Sequence, residues 1–431
     1  VKTLLLLAGQ SKRFWPLREK ALFPICGRTL LEHQLERLQE AGLTDITLVG
    51  GAHNLAAIRE RFPKLSAIEQ ERLDLGMRGA LLSALPQCDN EPIMVVSGND
   101  IIEPAAYKLL LAAAKKGDGA LLAQRVKRYF PGGYLTVDGD RITGIVEKPG
   151  EGNEPSDLVN IVAHIHGSPG ELLKALQHVD ESQDDGYEQA LAKLFAERSY
   201  RAVPYEGVWQ AVKYPWHILP LLELLLAEIN KSDIHPSAEV HKTAVISGNV
   251  VIGEGSRVLP HATIVGPCYI GKRCIIANNA LARGCSIGDD CIVGFCTEVK
   301  ASVWHSHVWT HMTYSGDSVI GHNVSFGAGA VTGNFRLDER EIESASGEEK
   351  IGTNLTKLGA IIGDNCRLGI HVTLDPGVKV GAGSFIASAV HLSSDVPDGQ
   401  FARMKDGILK VVENNESVPA PGERERYRKR L

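Results

Sequence analysis

The stretch IHPSAEVHKTAVISGNVVIGEGSRVLPHATIVGPCYIGKRCII, residues 234–276, returns an aliphatic side chain at every sixth position. These are Ile234, Val240, Ile246, Ile252, Val258, Ile264, Ile270 and Ile276. Glycine follows directly in Ile252-Gly253 and Ile270-Gly271. A period of six fits neither a helix, at about 3.6, nor a simple alternating strand. It fits a parallel coil in which each hexad is one short strand and a turn, three hexads closing a triangular rung. The pattern slips by one near Gly284 and resumes at Ile287, Val293 and Val299. It returns at Ile320 and Phe326, and again at Ile362, Leu368, Leu374, Val380 and Ile386. Roughly 155 residues at about 18 per rung predict on the order of nine rungs. Each rung buries its flat faces only against its neighbours.

Cys268 and Cys274 lie six apart, as do Cys285 and Cys291, with Cys296 five later and no Cys-x-x-Cys pair. They read as small apolar thiols filling an inward column, not as a zinc site or a disulfide framework. The hexad resembles the left-handed parallel β-helix of the hexapeptide-repeat acyltransferases. That resemblance implies a homotrimer with sites between adjacent prisms.

Outward from the hexad, the first 230 residues alternate strands with helices. Strands are expected at Thr3–Ala8, Asp45–Val49 and Pro92–Ser97, and helices at Leu30–Ala41, Ala105–Ala114 and Trp216–Ile229. This order predicts a mostly parallel, Rossmann-like α/β sheet flanked on both faces. The expected organisation is an α/β domain over 1–230, the β-helix over 234–412 and a basic tail over 413–431.

The 431 residues carry 46 basic against 52 acidic side chains, a net charge of −6. No nucleic-acid partner drawn by bulk charge is expected. The apolar run Trp216–Ile229 is interrupted by His217, Glu223 and Glu228, so no membrane span is expected, and the opening strand lacks a cleavage site. A cytoplasmic location follows from this reading.

The segment LLLAGQSKRFWPLREKALFPICGRTLLEHQLERL, residues 5–38, places Gly9, Arg13 and Lys20 in a loop after the first strand. A triphosphate lying over the carboxyl ends of parallel strands needs backbone amides and cations of this kind. The segment resembles the opening of the sugar-1-phosphate nucleotidyltransferases. The resemblance implies that Arg13 and Lys20 act on a nucleoside triphosphate (NTP) and that Asp100, in VVSGND, binds Mg2+. It makes Gly9, Gly76 in DLGMRGALL, Gly133, Glu147 and Asn160 substrate contacts. Five positions depart from the family pattern, Met77 in place of a threonine among them. Ser11 stands for a second glycine, Glu19 for the proline before the lysine, and Asp74 for a glutamine. Ala211 replaces the second acidic or amide metal contact, and alanine cannot coordinate a cation. The nucleotidyl site is read as partly eroded.

The hexad breaks between Val299 and Ile320, and the break reads EVKASVWHSHVWTHMTYSGDSVIG. Moving an acetyl group from a thioester to an amine needs a base, and an imidazole such as that of His311 suits the task. Lys300, Tyr314 and Lys357 supply charge and hydroxyl donation for a sugar phosphate, and Asn334 an orienting amide. His305 and His307 are read as solvent-facing. The insertion after Asn334 is expected to reach over a neighbouring coil. His311, Tyr314, Gly316, Asp317, Asn334 and Lys357 together resemble the archaeal-type bifunctional N-acetylglucosamine-1-phosphate uridylyltransferase/glucosamine-1-phosphate acetyltransferases. The resemblance implies acetyl transfer from acetyl-CoA to an amino-sugar 1-phosphate, with His311 as base, beside nucleotidyl transfer to a sugar 1-phosphate. Two other readings stand beside it: a nucleotidyltransferase whose β-helix only trimerises, and a non-catalytic sugar-nucleotide scaffold. The arginine-rich end, Gly422–Leu431, reads as a solvated tail or as an arm to acetyl-CoA on a neighbouring subunit.

Overall fold

A computed structural model of the chain describes residues 1–115, 118–180, 185–347 and 349–428. The chain divides into two compact units, Val1–Gln10 with Leu31–Ala211, and Ser11–Leu30 with Val212–Leu431.

In the first unit the opening strand, Lys2–Leu6, is buried on both sides from Thr3 to Leu6, as a central strand must be. It lies parallel to Ile46–Gly50 and to Ile93–Ser97, with Leu4 opposite both Thr47 and Val95. The helices Leu30–Glu40 and Pro104–Ala114 follow two of these strands, close to their expected bounds. Among the described residues the sheet has nine strands and is mixed, not mostly parallel. The reason is local. The antiparallel hairpin of Gly133–Asp138 and Arg141–Glu147 carries no crossover helix, so the following strand, Leu158–His166, runs antiparallel to both Ile93–Ser97 and Gly119–Arg125. Its pairing with Gly119–Arg125 shifts register between Ile161 and His164. Helices Gly76–Ala84, Pro169–Gln177 and Gly186–Glu197 supply Leu81, Leu172 and Leu191 to the core below it.

The second unit is a three-faced parallel coil. Successive strands visit the faces in turn, so Val250 pairs with Cys268, Arg257 with Ile275 and Thr263 with Leu281. Among the described residues two faces carry eight strands each, and isolated parallel bridges at Trp309 and Val396 continue the ladders, in keeping with about nine rungs. The sixth-position residues from Ile252 to Ile386 form one continuous core. Ile234 and Val240 do not join it and are exposed, because the first rung is covered on one side only. Cys268, Cys274, Cys285 and Cys291 are buried in the column as expected, whereas Cys296 is exposed at a turn with φ of +52°. Glycine lets rungs close up: a Cβ at Gly294 would stand 2.0 Å from the Thr310 carbonyl oxygen. The insertion after Asn334 forms a hairpin of Glu343–Ser346 and Glu349–Gly352. It leans on the coil through Ser344 Oγ, which donates to the Gly377 carbonyl at 3.2 Å.

Candidate functional sites

In the first unit Gly133 and Glu147 are register partners across the hairpin, and a Cβ at Gly133 would come within 3.3 Å of Glu147 Oε2. Lys148 Nζ lies 3.0 Å from the Glu147 carboxylate. Asn160 sits on the neighbouring strand, which pairs with the hairpin at Val159 and Tyr134, and is nearly buried. Glu188 is buried under this group. Desolvation, and then the charge of Glu147, push its carboxyl up to about 8. Sequence reading missed Glu188, because in a helix its spacing looks like any surface glutamate.

Asp100 is buried at the start of the strand Asp100–Ile102 and accepts from Trp209 Nε1 at 3.1 Å. Its partner across the two-stranded ladder is Ala211. Gly9 is exposed after the first strand, and Gly76, at φ of +53°, opens the helix Gly76–Ala84. Asp74 is gripped by Arg72, whose guanidinium holds the carboxyl below the usual range.

Arg13 and Lys20 belong to the second unit. Arg13 is exposed on a short turn, Lys12–Phe14. Lys20 is buried, and its Nζ donates to the Val212 carbonyl at 2.7 Å. Glu19 lies just before Lys20 in the chain. Its carboxylate caps the following turn by accepting from the Ala21 amide at 3.1 Å. Ser11 adopts φ of +52°, the left-handed conformation that glycine takes without strain. The loop rests on the coil: the Cys26 amide donates to Ser286 Oγ at 2.8 Å, and Trp15 Nε1 to Asp398 at 2.9 Å.

On one face of the coil Glu298–Lys300 pairs with Tyr314–Gly316, which pairs in turn with Val331–Thr332. This stacking gathers Lys300, Tyr314 and Asn334 around Asp317, a residue the sequence offered only as part of a motif. Lys300 Nζ lies 2.7 Å from Asp317 Oδ2, and Asn334 Nδ2 donates to the same oxygen and, at 3.1 Å, to the Tyr314 hydroxyl. Burial, and then the Asp317 charge, raise the Tyr314 phenol above its ordinary value. A Cβ at Gly316 would stand 2.4 Å from that hydroxyl, so a larger residue there would have to shift the ring. Lys357 joins through a backbone bridge with Phe335, and its ammonium lies 5.8 Å from the Phe335 ring centre. His311, three residues before Tyr314, is exposed on the coil surface. One rung back on the same face, Arg283 holds Glu298 at 2.6 Å, an addition that sequence reading did not make.

His305 and His307 do not face solvent. The His305 ring packs edge-on against Phe23 and His322, and burial pushes its imidazole down to about 3. His307 Nε2 lies 3.8 Å from Asp290. The end of the chain is not frayed through Arg428, while residues 429–431 lie outside the described residues. Pro421–Arg428 is a helix. Arg424 is buried over the Trp309 ring at 4.0 Å and donates to Asn323 and Ser325, and Arg428 pairs with Asp290 at 2.7 Å. Among the described residues, no helix is long and apolar enough to cross a membrane.

Residues 3–234 match the family model described as MobA-like NTP transferase domain, and residues 229–351 the GMPPB C-terminal domain. The bifunctional sugar-1-phosphate nucleotidylyltransferase/acetyltransferase of Sulfurisphaera tokodaii is 30% identical over 94% of this chain and 100% of its own length. The bifunctional protein GlmU of Methanocaldococcus jannaschii is 30% identical over 94% of this chain and 98% of its own. A crystal structure of apo UDP-glucose pyrophosphorylase aligns with a TM-score of 0.45 at 18% identity, covering 53% of this chain and 99% of that one.

Proposed function

The chain belongs to the family of bifunctional sugar-1-phosphate nucleotidylyltransferase/acetyltransferases, and from that premise we propose how its residues divide two reactions. The nucleotidyltransferase-like part, residues 1–230, transfers a nucleotidyl group from an NTP to a sugar 1-phosphate, releasing pyrophosphate. The coil transfers acetyl from acetyl-CoA to an amino-sugar 1-phosphate. The observation that carries the second assignment is the convergence of Lys300, Tyr314 and Asn334 on Asp317, with exposed His311 three residues before Tyr314 in the chain.

In acetyl transfer, His311 accepts the proton of the attacking amine as the carbon–nitrogen bond forms, and the CoA thiolate leaves. Lys357 and Lys300 face the phosphate charge. Asp317 fixes Lys300 and the Asn334 amide, and the Tyr314 hydroxyl is held by that amide. We read the coil as a left-handed β-helix that assembles as a homotrimer, which would set His311 in a cleft between copies. The domains run 1–230 and 234–412, followed by the tail 413–431, in a cytoplasmic protein.

In nucleotidyl transfer, Arg13 and Lys20 neutralise charge on the triphosphate and on departing pyrophosphate. Gly9 and Gly76 leave room for phosphate and base, while Gly133, Glu147 and Asn160 hold the sugar. Asp100 offers one carboxylate, and Ala211 opposite it offers none. That donor set fits Mg2+ arriving with the nucleotide, bound by phosphate oxygens and Asp100, where it would offset phosphate charge.

Replacing His311 with Ala in the full chain tests the division. Acetyl transfer to glucosamine 1-phosphate should collapse while pyrophosphate release from UTP, dTTP, CTP, ATP or GTP persists. Loss of neither activity would remove His311 from the chemistry. Absence of pyrophosphate release with every nucleotide, in the unmodified chain with magnesium, would end the nucleotidyl reading.

A further inference from the structure

Behind Asn160 runs a buried chain of four further side chains that the two reactions do not use. Asn160 Oδ1 lies 2.7 Å from His164 Nε2, and His164 Nδ1 lies 2.7 Å from the Tyr187 hydroxyl. That hydroxyl is 3.0 Å from His166 Nε2, and His166 Nδ1 is 2.9 Å from the Tyr200 hydroxyl. His164 and His166 are fully buried, and Tyr187 and Tyr200 nearly so. The strand Leu158–His166 brings the members together only because its register slips between Ile161 and His164. In a regular strand, residues four apart are separated by about 13 Å, beyond the reach of these two side chains toward each other. A bulge re-aims them.

Burial leaves each imidazole with one donor and one acceptor nitrogen. The proton order is then set by the end at Asn160, since one orientation dictates the next. With Oδ1 toward His164, His164 Nε2–H donates to Asn160, and its Nδ1 accepts from Tyr187. Tyr187 in turn accepts from His166 Nε2–H, and His166 Nδ1 accepts from Tyr200. Each ring nitrogen along the line then has a partner, and His164 also meets the Ile161 backbone. Desolvation keeps both histidines neutral: His166 is held down to about 3, and His164 well below its ordinary value.

We propose that His164, Tyr187, His166 and Tyr200 are positioning residues that lock the Asn160 amide so that its NH2 group faces the ligand, making Asn160 a dedicated donor to an acceptor oxygen of the sugar. This rests on the reading of Asn160 as a sugar contact. The opposite proton order would turn Nδ2 inward and present an acceptor, so the inference makes a directional claim. It favours sugars with a hydroxyl or acetamido oxygen at that point over those presenting only an ammonium group.

The test is calorimetric titration of the full chain with N-acetylglucosamine 1-phosphate, glucose 1-phosphate and glucosamine 1-phosphate, with UTP as the control ligand. Asn160→Asp, which keeps an oxygen but loses the donor, should weaken the acetylated or neutral sugar phosphate by about ten-fold, as for one lost hydrogen bond. Tyr187→Phe should weaken it by a similar factor and leave UTP affinity within about two-fold, and the double variant should bind no worse than Asn160→Asp alone. Where Tyr187→Phe does not fold, Tyr200→Phe carries the same test with a loss of about three-fold. If none of the three sugar phosphates binds the unmodified chain, or Asn160→Asp binds its sugar unchanged, the sugar-contact reading falls. Tighter binding by Asn160→Asp overturns the donor assignment. If Asn160→Asp weakens binding while Tyr187→Phe or Tyr200→Phe does not, the sugar contact stands and the relay falls. Additive losses, or a matching loss of UTP affinity, mark mere structural damage and overturn it too.

Discussion

Ala211 faces Asp100 directly across a two-stranded antiparallel ladder, so a methyl group occupies the place from which a second ligand would meet the carboxylate. Like charges brought together there repel unless a cation lies between them. Ala211→Asp should therefore lower the melting temperature of the ligand-free chain by a few degrees. With Mg2+ and nucleotide present that loss should be recovered, and half-maximal pyrophosphate release should need about ten-fold less magnesium. A magnesium titration of wild type and variant decides it, and superimposable curves would mean the cation is not held at this ladder.

Ser11 pays for its left-handed backbone with Cβ crowding that glycine would avoid. Ser11→Gly should stabilise the second unit, by an amount on the order of 0.5–1 kcal/mol once glycine's greater freedom in the unfolded chain is subtracted. Urea unfolding of the full chain measures it.

Asp317 joins Lys300 to Asn334 with little solvent access. Removing it leaves a nearly buried ammonium unpaired, so Asp317→Ala should cost about 3 kcal/mol. The Michaelis constant for glucosamine 1-phosphate should rise by more than ten-fold, since both Lys300 and Asn334 lose their fixed positions, while pyrophosphate release is unaffected. Parallel assays of both activities on one preparation check this.

Two sets of buried groups give the first unit opposite pH slopes. His166 is held near 3 in the folded chain against 6.5 unfolded, so below about pH 6.5 the unfolded chain takes up protons that the folded chain refuses. Stability is lost progressively as pH falls from there. Glu188 runs the other way. Its folded value near 8 lies above the unfolded 4.5, so its contribution is complete below about pH 4.5 and is lost as pH rises toward 8. Glu188→Gln, which needs no proton to stay neutral, should flatten the loss between pH 5 and 8 while leaving the acid limb in place. Thermal unfolding scans at stepped pH read both limbs.

Arg424 anchors the last helix through Trp309, Asn323 and Ser325. Arg424→Ala should speed tryptic cleavage within 421–428 by at least ten-fold, with the coil itself left intact. Mass spectrometry of timed digests distinguishes this from general loosening.

The coil was legible from its hexad because a structure that repeats in space must repeat in sequence, and each rung needs the same inward residue. The nucleotidyl half was legible as strands alternating with helices, but the reversal at Leu158–His166 was not, since an apolar central strand reads the same in either direction. The residues proposed for the sites from local motifs, such as His311 with Tyr314 or Gly9 with Arg13, could be named in advance. Glu188, Arg283 and the Asn160 relay could not, because their partners lie far along the chain and no period links them.

Sequence alone therefore determined the coil's period and its thiol-filled interior, both of which follow from local pattern and from the need to bury apolar surface. Tertiary structure decided which polar groups meet: Asp317 with Lys300 and Asn334, Asp100 with Ala211, and Asn160 with a line of buried rings. Such meetings depend on strand direction, register and bulges. Those are fixed by packing across the whole sheet, where a slip of one residue turns every side chain to the other face.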